Sequence, residues 1–552
     1  MRAKFILLLL PTLLLALPYP LSAQWTPDPY DGMVTVTNEP GNQSNIEILS
    51  LSGNNTILVW QSTNNWPLKY YYQVLDLRGR ALLPENGVPL IDGNWEYGWG
   101  YGGLMPDGEG GCIAVFDDWR DGSRQIYGQR IDARGSRLWG ENGLPLAIWP
   151  EYDLNSLDIA YDSLGNFFVC FTYETIQSDY YLYAQKFDNN GNCHWGPYGI
   201  PICTYGGYAI FSEAVQDEEG GILIVWEDSR QSGSYYERLF YFQHLDAAGN
   251  PLLLENGIQI RLASESLDCC HDGVSDGQGG GIWSWQKSGP GIDSELAAFR
   301  LSGDGRTIWE WYGGIVCTRS FLEMKSHPDD GNIWLSDNED RTGQYVGYIY
   351  CFTADGTPLF GDEGLPYGGW LVPAPGGIIT IYSPYSEVRS VLSAQYVHND
   401  GNPGWKTTMA QCDTLGQALT GQCGAPDGFG GAVVAIYDDR IQTAGHDIAA
   451  QRVCWDGQVA WTKYKPPTKI TIIDAVLNYH NGILSYNLPQ AGIIKLDLFD
   501  VLGRRIETLA ESYKDAGQYN IHINNTHLPS GIYLTKLTSP VGSHVAKMVV
   551  VR

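Results

Sequence analysis

Long apolar runs are missing after the first two dozen residues, and so is any long stretch with apolar residues at helical spacing. The first absence argues against a membrane span, which needs about 20 consecutive apolar residues. The second argues against a helical bundle. Basic residues are also scarce. Lys and Arg total 34 against 62 Asp and Glu, a formal net charge of −28. Phosphate backbones need a basic surface, so nucleic acid is excluded as a partner. The acidic excess reads first as solubility.

The usual catalytic and metal signatures are equally thin. Cys269 and Cys270 have no second Cys or His pair placed to close a tetrahedral zinc site. The turns "DNNGN", "SGDGR" and "TADGT" lack the ligand ladder and closing glutamate of a calcium loop, and read as hairpin turns. His271-Asp272 and His446-Asp447 have no Gly-x-Ser-x-Gly context for a triad. No metal and no cofactor are expected. Eleven cysteines, an odd number, cannot all pair within one chain. Cys412 with Cys423, and Cys193 with Cys203, are close enough to be candidate bridges; Cys112 and Cys170 sit in apolar runs as free core residues.

What is present is glycine (66), tyrosine (35) and tryptophan (19), a mix that suits many short strands joined by tight turns. The opening "MRAKFILLLLPTLLLALPYPLSAQ" has a basic start, an apolar stretch and a small residue at Ala23, so residues 1–23 read as a secretory signal peptide. No cysteine follows the cleavage site, which argues against a lipid anchor.

A turn written Asp-x-x-Gly recurs, with an aromatic or leucine four residues after the glycine. The glycines are Gly79, Gly135, Gly191, Gly249, Gly305, Gly356, Gly401 and Gly457, at intervals of 56, 56, 58, 56, 51, 45 and 56. The fourth residues after them run from Leu83, Trp139 and Trp195 to Trp405 and Trp461. Each unit carries four strand-like pieces, among them apolar "TILVW", "CIAVF" and "ILIVW" and alternating "QIYGQRID". The fourth piece is expected after Gly87, Gly143, Gly199, Gly257, Gly314 and Gly364. Four antiparallel strands per unit of this length predict a β-propeller blade. The eighth unit lacks a fourth strand, and "DGMVTVT" at 31–37 is a spare one, so the N-terminal strand is expected to close the ring. The fold class is therefore all-β: an eight-bladed β-propeller over 24–465, followed by a small domain over 466–552.

That small domain begins where Pro466-Pro467 ends the repeat. Its "YNLPQAG" (486–492), "LDLFDVLGRR" (496–505), "DAG" (515–517), "LPSGIYLTKL" (528–537) and final "KMVVVR" resemble the C-terminal sorting domain of the type IX (Por) secretion system of Bacteroidota-like Gram-negative bacteria. The resemblance covers about 85 residues. It implies an Ig-like β-sandwich, the secretion machinery as partner, and delivery outside the cell or to the outer-membrane surface. From the residues alone, Leu496 and Leu498 alternate toward one face, as antiparallel strands require.

Two groups of side chains are candidates for function. Asp118 and Arg120, Asp228 and Arg230, Glu339 and Arg341, and Asp438 and Arg440 form an acid-x-Arg pair in every second unit. A catalytic acid is needed once or twice, not four times round a ring. These pairs read as scaffold, the acid capping a turn and the arginine tying neighbouring loops or blades. Trp95, Tyr97, Trp99 and Tyr101 in "GNWEYGWGYGG", with Trp66, Trp149 and Tyr152, belong by strand order to one face. Flat aromatic surfaces stack on sugar rings or extended polymers; aromatics at this spacing also pack strand faces. The sequence thus points to a secreted or surface binding protein for a glycan, another polymer or a protein. The alternative is an extracellular glycan-degrading hydrolase working with two carboxylates.

Overall fold

The computed structural model describes Trp25 and, between residues 33 and 550, everything except 63–68, 93–100, 121, 150–153, 163–164, 175–178, 232–238, 261–270, 290–291, 314–321, 329, 341–344, 384–389, 413–418, 440–445, 460–477, 481–482, 489–491, 501–504, 515–516, 523–530 and 540–541. The segment expected as a signal peptide, Trp461 and Pro466-Pro467 lie outside these residues. The chain is all-β; among the described residues there is one 3-10 turn, Ser52–Asn54, and the strands form many small antiparallel sheets. Eight of these sheets are built from residues between Val34 and Val453.

One unit shows how the sequence produces a sheet. Tyr101–Pro106, Cys112–Asp118, Gln125–Ile131 and Leu144–Ala147 pair in that order. Asp107 makes the first turn: its Oδ1 accepts the backbone N–H groups of Glu109 and Gly111, both at 2.8 Å. Asp132 makes the third turn likewise, accepting from Arg134 and Ser136. Such side-chain caps are why aspartate leads a tight turn. The second strand is a continuous apolar run because both its faces are covered. In the unit before, Ile57 and Val59 pack toward this unit, while Leu58 and Trp60 pack toward the last one. The core is therefore a set of seams between facing sheets.

The structure departs from the sequence expectation in three details. Asp-x-x-Gly holds in units one to four; in units five to eight the aspartate directly precedes the glycine, as in Asp304 and Asp355, which bond to Ser302 and Thr353 instead. Unit five's fourth strand is Thr307–Gly313, ahead of Gly314 and not after it. Unit six has three described strands, its fourth position reduced to a bridge between Ile349 and Leu365.

The first strands of the eight sheets touch in sequence, and the last, Leu419–Pro426, touches the first, Gln43–Leu51, so the contacts form a closed ring. Val34–Thr37 completes the eighth sheet, antiparallel to Asp447–Val453, with Val34 opposite Ala450. The N-terminal segment also brings a side chain. Elsewhere the aromatic after a turn glycine lies on the next unit's turn: Trp195 Nε1 donates to Ala247, Trp309 to Ala354 and Trp405 to Trp455. Each acceptor lies two residues before a turn glycine. At the junction of units eight and one this role falls to Trp25, 1% exposed, whose Nε1 donates to Leu77 at 2.9 Å. Only glycine fits beneath it: a Cβ on Gly79, at φ +77°, would meet the indole at 2.8 Å.

A second set of ties crosses the seams. Arg130 Nε bonds Asp107 in its own unit at 2.8 Å, while another of its nitrogens donates to the Asn189 carbonyl in the next. Arg300 joins Asp276 to the Ala354 carbonyl, and His244 joins Asp217 to the Gly303 carbonyl, in the same way. Lys186 reaches the Gly220 carbonyl at 2.6 Å.

The expected disulfides do not form. No disulfide joins Cys193 to Cys203 or Cys412 to Cys423, and Cys112 and Cys170 are buried core thiols. Strand geometry explains this. Cys193 is exposed at a turn, whereas Cys203 is buried in a fourth strand beside Asp228. Cys412 ends a strand of unit seven, whereas Cys423 lies in unit eight and donates to the Ile46 carbonyl.

The C-terminal region holds two further sheets. One pairs Asn478–His480, Ile483–Leu488 and Gly517–His522. The other orders Arg505–Lys514, Gly492–Asp500, Gly531–Ser539 and Gly542–Val550. Leu496 and Leu498 are both fully buried, as their alternation requires.

Replacing Trp25 with alanine removes a buried indole at the closing seam and is expected to cost about 3–5 kcal/mol. Urea unfolding read by far-UV circular dichroism measures this; a change under 1 kcal/mol (roughly the ordinary surface range) contradicts the closing role. Deleting residues 24–37 leaves Asp447–Val453 as an open edge and should produce self-association on size-exclusion chromatography.

Candidate functional site

Antiparallel order puts the first-to-second and third-to-fourth turns on one face of the ring. The second-to-third connections and the links between units share the other face. The sequence-predicted aromatics belong to this second face, but Trp66, Trp95, Tyr97, Trp99 and Tyr152 lie outside the described residues. Tyr101 is placed by its backbone, opposite Phe116 at the start of a first strand. Trp149 is therefore the one member of the set whose side chain is described.

Trp149 sits in the link from unit two to unit three, half-buried. Its backbone carbonyl accepts from Gln125 Nε2 at 3.2 Å, and its N–H donates to the same side chain. Around the indole, Tyr173 lies 4.7 Å away between ring centroids, Tyr183 4.9 Å and Tyr198 5.9 Å. The last two meet it edge to face, the favoured geometry for aromatic rings. Tyr198 is 63% exposed, so the cluster ends in an open aromatic step. Tyr205, 56% exposed, continues it toward unit four, where the Arg230 guanidinium lies over its ring.

Two of the four acid-x-Arg pairs are described in full, and in each the acid and the arginine bond to one another. Asp118 Oδ1 caps the Arg120 N–H at 2.7 Å, and its Oδ2 takes the guanidinium at 2.6 and 3.0 Å. The same guanidinium lies 3.8 Å above the Tyr127 ring and donates to the Asn142 carbonyl. Asp228 and Arg230 repeat this, with the guanidinium 3.8 Å above Tyr241 and 3.0 Å from Cys203 Sγ. Arg120 reaches the Asn142 carbonyl of its own unit, whereas Arg230 reaches back to Cys203 of unit three. In the other two pairs, Asp438 is buried in its strand opposite Asp447 and Glu339 is placed by its backbone opposite Val346. Arg341 and Arg440 lie outside the described residues.

The sequence reading missed a set of carboxylates on the innermost strands. Asp158 accepts the Ala214 N–H at 2.6 Å, Asp272 accepts that of Met324 at 2.7 Å and Glu323 that of Leu371 at 2.5 Å. Glu47 accepts from the Leu104 backbone. In every case the donor is the first strand of the following unit. Lys325 stands among them, 3.1 Å from Glu323 and 42% exposed, so its charge is partly hydrated. Lys325 also feels Glu47, three units away round the closed ring, which sets both side chains toward the axis.

Burial pushes the Glu47 carboxyl up to about 7, against pull from the Leu104 N–H and Lys325. Burial and the neighbouring Glu213 charge raise Asp158 well above the usual carboxylate range. The Glu323 charge holds Lys325 protonated and raises it. A signal for this set exists in the sequence: one acid flanked by apolar or small residues, as in "NIEIL", "SLDIA", "CHDGV" and "FLEMK".

Residues 480–551 match the family model described as the secretion system C-terminal sorting domain. This domain marks proteins exported by the type IX system to the cell surface or the extracellular space of Bacteroidetes. Among the described residues, no helix is long and apolar enough to cross a membrane. No curated protein matches the chain. Solved structures similar to it include the polysaccharide lyase Uly1, at 10% identity and a TM-score of 0.37 over 76% of this chain and 91% of that one. A PL25 ulvan lyase matches at 13% and 0.39, over 80% and 97%. PorZ, a surface component of the type IX system of Porphyromonas gingivalis, matches at 11% and 0.28, over 92% and 82%.

The axial carboxylates give a pH signature. The fold raises Glu47 from 4.5 to about 7, so it favours the neutral form. The stability tied to this group is complete below the unfolded value and is lost as pH rises through the folded one. Glu47→Gln should therefore match the parent at about pH 4 and exceed it at about pH 8 in urea midpoint. Equal midpoints across that range would remove Glu47 from the strained set.

Proposed function

We propose that the chain is an exported adhesin-like binding protein: an eight-bladed β-propeller over 24–465 that engages an extracellular polymer, preferably a glycan. A leader over 1–23 starts its export, and an Ig-like domain over 466–552 hands it to the type IX machinery. The eight sheets with touching inner strands support the propeller, and the matched sorting domain supports the destination. The observation that carries the binding reading is the stepped aromatic surface of Trp149, Tyr173, Tyr183 and Tyr198. Tyr198 is the exposed ring of this cluster, and a ring held by half-buried Trp149, itself packed against half-buried Tyr183 and buried Tyr173, offers stacking area at little entropic cost. Trp66, Trp95, Tyr97, Trp99, Tyr101 and Tyr152 are proposed to extend that surface. The acid-x-Arg pairs are proposed as scaffold.

A second reading, a glycan-degrading hydrolase, draws on Glu47, raised by burial, and on Asp158, raised by burial and the neighbouring Glu213 charge, since displaced carboxylate pKa values suit acid–base work. Their engagement with backbone N–H groups favours a structural role, and binding remains the first reading.

Residues 24–465 are to be tested on a glycan array alongside a reducing-end release assay. Binding without release is expected. Tyr198→Ala should weaken it about fivefold or more, the loss of one stacking ring, with unchanged thermal stability. Release of reducing ends that Glu47→Gln or Asp158→Asn abolishes would establish the hydrolase instead. Removing 466–552 should leave the protein in the periplasm, read by fractionation; surface delivery without it would contradict the sorting role.

A further inference from the structure

Units one, two and four share a local framework. Trp60, Phe116 and Trp226 are register-matched to Tyr71, Tyr127 and Tyr241 across the second and third strands. Two residues later come Ser62, Asp118 and Asp228. In units two and four the space over the third-strand tyrosine holds a guanidinium, Arg120 or Arg230, each 3.8 Å from the ring. Unit one has Ser62 in place of the aspartate and Asn64 in place of the arginine. The space there is a cleft of about 160 Å³, lined by Thr37, Gln43, Ser62, Tyr71, the carboxylate residues Glu39 and Glu85, and Lys69, among others.

The correspondence extends to the neighbouring unit. Asn38 N donates to Asn86 Oδ1 at 2.9 Å, as Thr204 N donates to Asn256 Oδ1 at 2.8 Å. Thr37 therefore stands where Cys203 receives the Arg230 guanidinium. An independent feature points the same way. Gln43 is fully buried, lines the cleft, and its Oε1 has no hydrogen-bond partner among the described residues. A buried acceptor without a donor costs about 1–3 kcal/mol unless something supplies the hydrogen.

We propose that this cleft is a docking site for the guanidinium of an arginine on a partner polypeptide, which stacks on Tyr71 as the chain's own arginines stack on Tyr127 and Tyr241. A guanidinium is planar and donor-only, so it fits between an aromatic face and the acceptors of Gln43, Ser62, Glu39 and Glu85, whose two carboxylates outnumber the Lys69 ammonium in the same lining; a lysine ammonium lacks the plane. The chain's net charge of −28 favours the approach of a cationic segment. This site is separate from the Trp149 surface and does not rest on the polymer-binding reading.

Isothermal titration of the full mature chain at low salt tests it, with the tripeptides Gly-Arg-Gly, Gly-Lys-Gly and Gly-citrulline-Gly as probes. One Gly-Arg-Gly should bind, at least about tenfold more tightly than Gly-Lys-Gly, and the citrulline peptide should not register. Tyr71→Leu should abolish the binding. Ser62→Asp, which restores the carboxylate of the other units, should tighten it about tenfold by a charge-assisted bond. The double variant Ser62→Asp, Asn64→Arg should lose it, because its own guanidinium fills the cleft, with thermal stability at or above that of the parent. That rise also shows the variant to be folded. No preference for arginine, or binding that survives both Tyr71→Leu and the double variant, overturns the proposal. Methyl glucoside competing for the same cleft would overturn it too. Retained glycan-array signal in the double variant separates this outcome from the fate of the polymer reading.

Discussion

The innermost strand of every sheet in the ring has an unpaired edge facing the axis, and backbone N–H groups there need acceptors that no further strand supplies. In four units a carboxylate of the preceding unit provides one: Glu47 for Leu104, Asp158 for Ala214, Asp272 for Met324 and Glu323 for Leu371. The same contact fixes the offset of one sheet against the next. It also buries charge at the axis: burial pushes Glu47 upward, burial and the Glu213 charge raise Asp158, and the Glu323 charge holds Lys325 protonated. Edge satisfaction at the centre and electrostatic strain at the centre are thus one arrangement.

The rim solves a different problem with different residues. There the seams are apolar, and their ends are fastened by donors that reach from one unit into the turn of the next. Arg130, Lys186, His244 and Arg300 each place a donor on a carbonyl across the seam. Trp195, Trp309 and Trp405 do the same with an indole N–H, and their bulk explains why the turn beneath must be glycine. Because each donor is a long side chain on a short strand, the sheets can differ in length, from two-residue fourth strands to the ten residues of Pro403–Cys412, without loosening the ring.

The architecture was readable because the turn glycines recur at nearly constant spacing and because strands buried on both faces are apolar throughout, as "CIAVF" and "ILIVW" are. The spare strand near the N-terminus and the sorting motifs were readable for the same reason: each matches a pattern of several residues. The axial carboxylates were not read, since each occurs once per unit with a different local context and its partner is a backbone group in another unit. Trp25 was missed because it lies ahead of the first repeat and takes a position that numbering assigns to Trp461. The disulfide expectation failed because proximity in sequence says nothing about which seam a strand turns its sulfur into. Of the aromatic face, the sequence supplied the residue types, and Trp149 with its tyrosine neighbours is the part whose packing is described.

Trp25 and Val34–Thr37 have their partners at Leu77 and in Asp447–Val453. The last seam therefore joins residues more than 400 positions apart, and no closed ring exists until nearly the whole chain is available. Loop closure of this length is slow and comes late, because its entropic cost precedes any reward from contacts. The N-terminal strand is therefore among the last to find its place, and the locking of the ring is deferred until the far end of the eighth sheet is available.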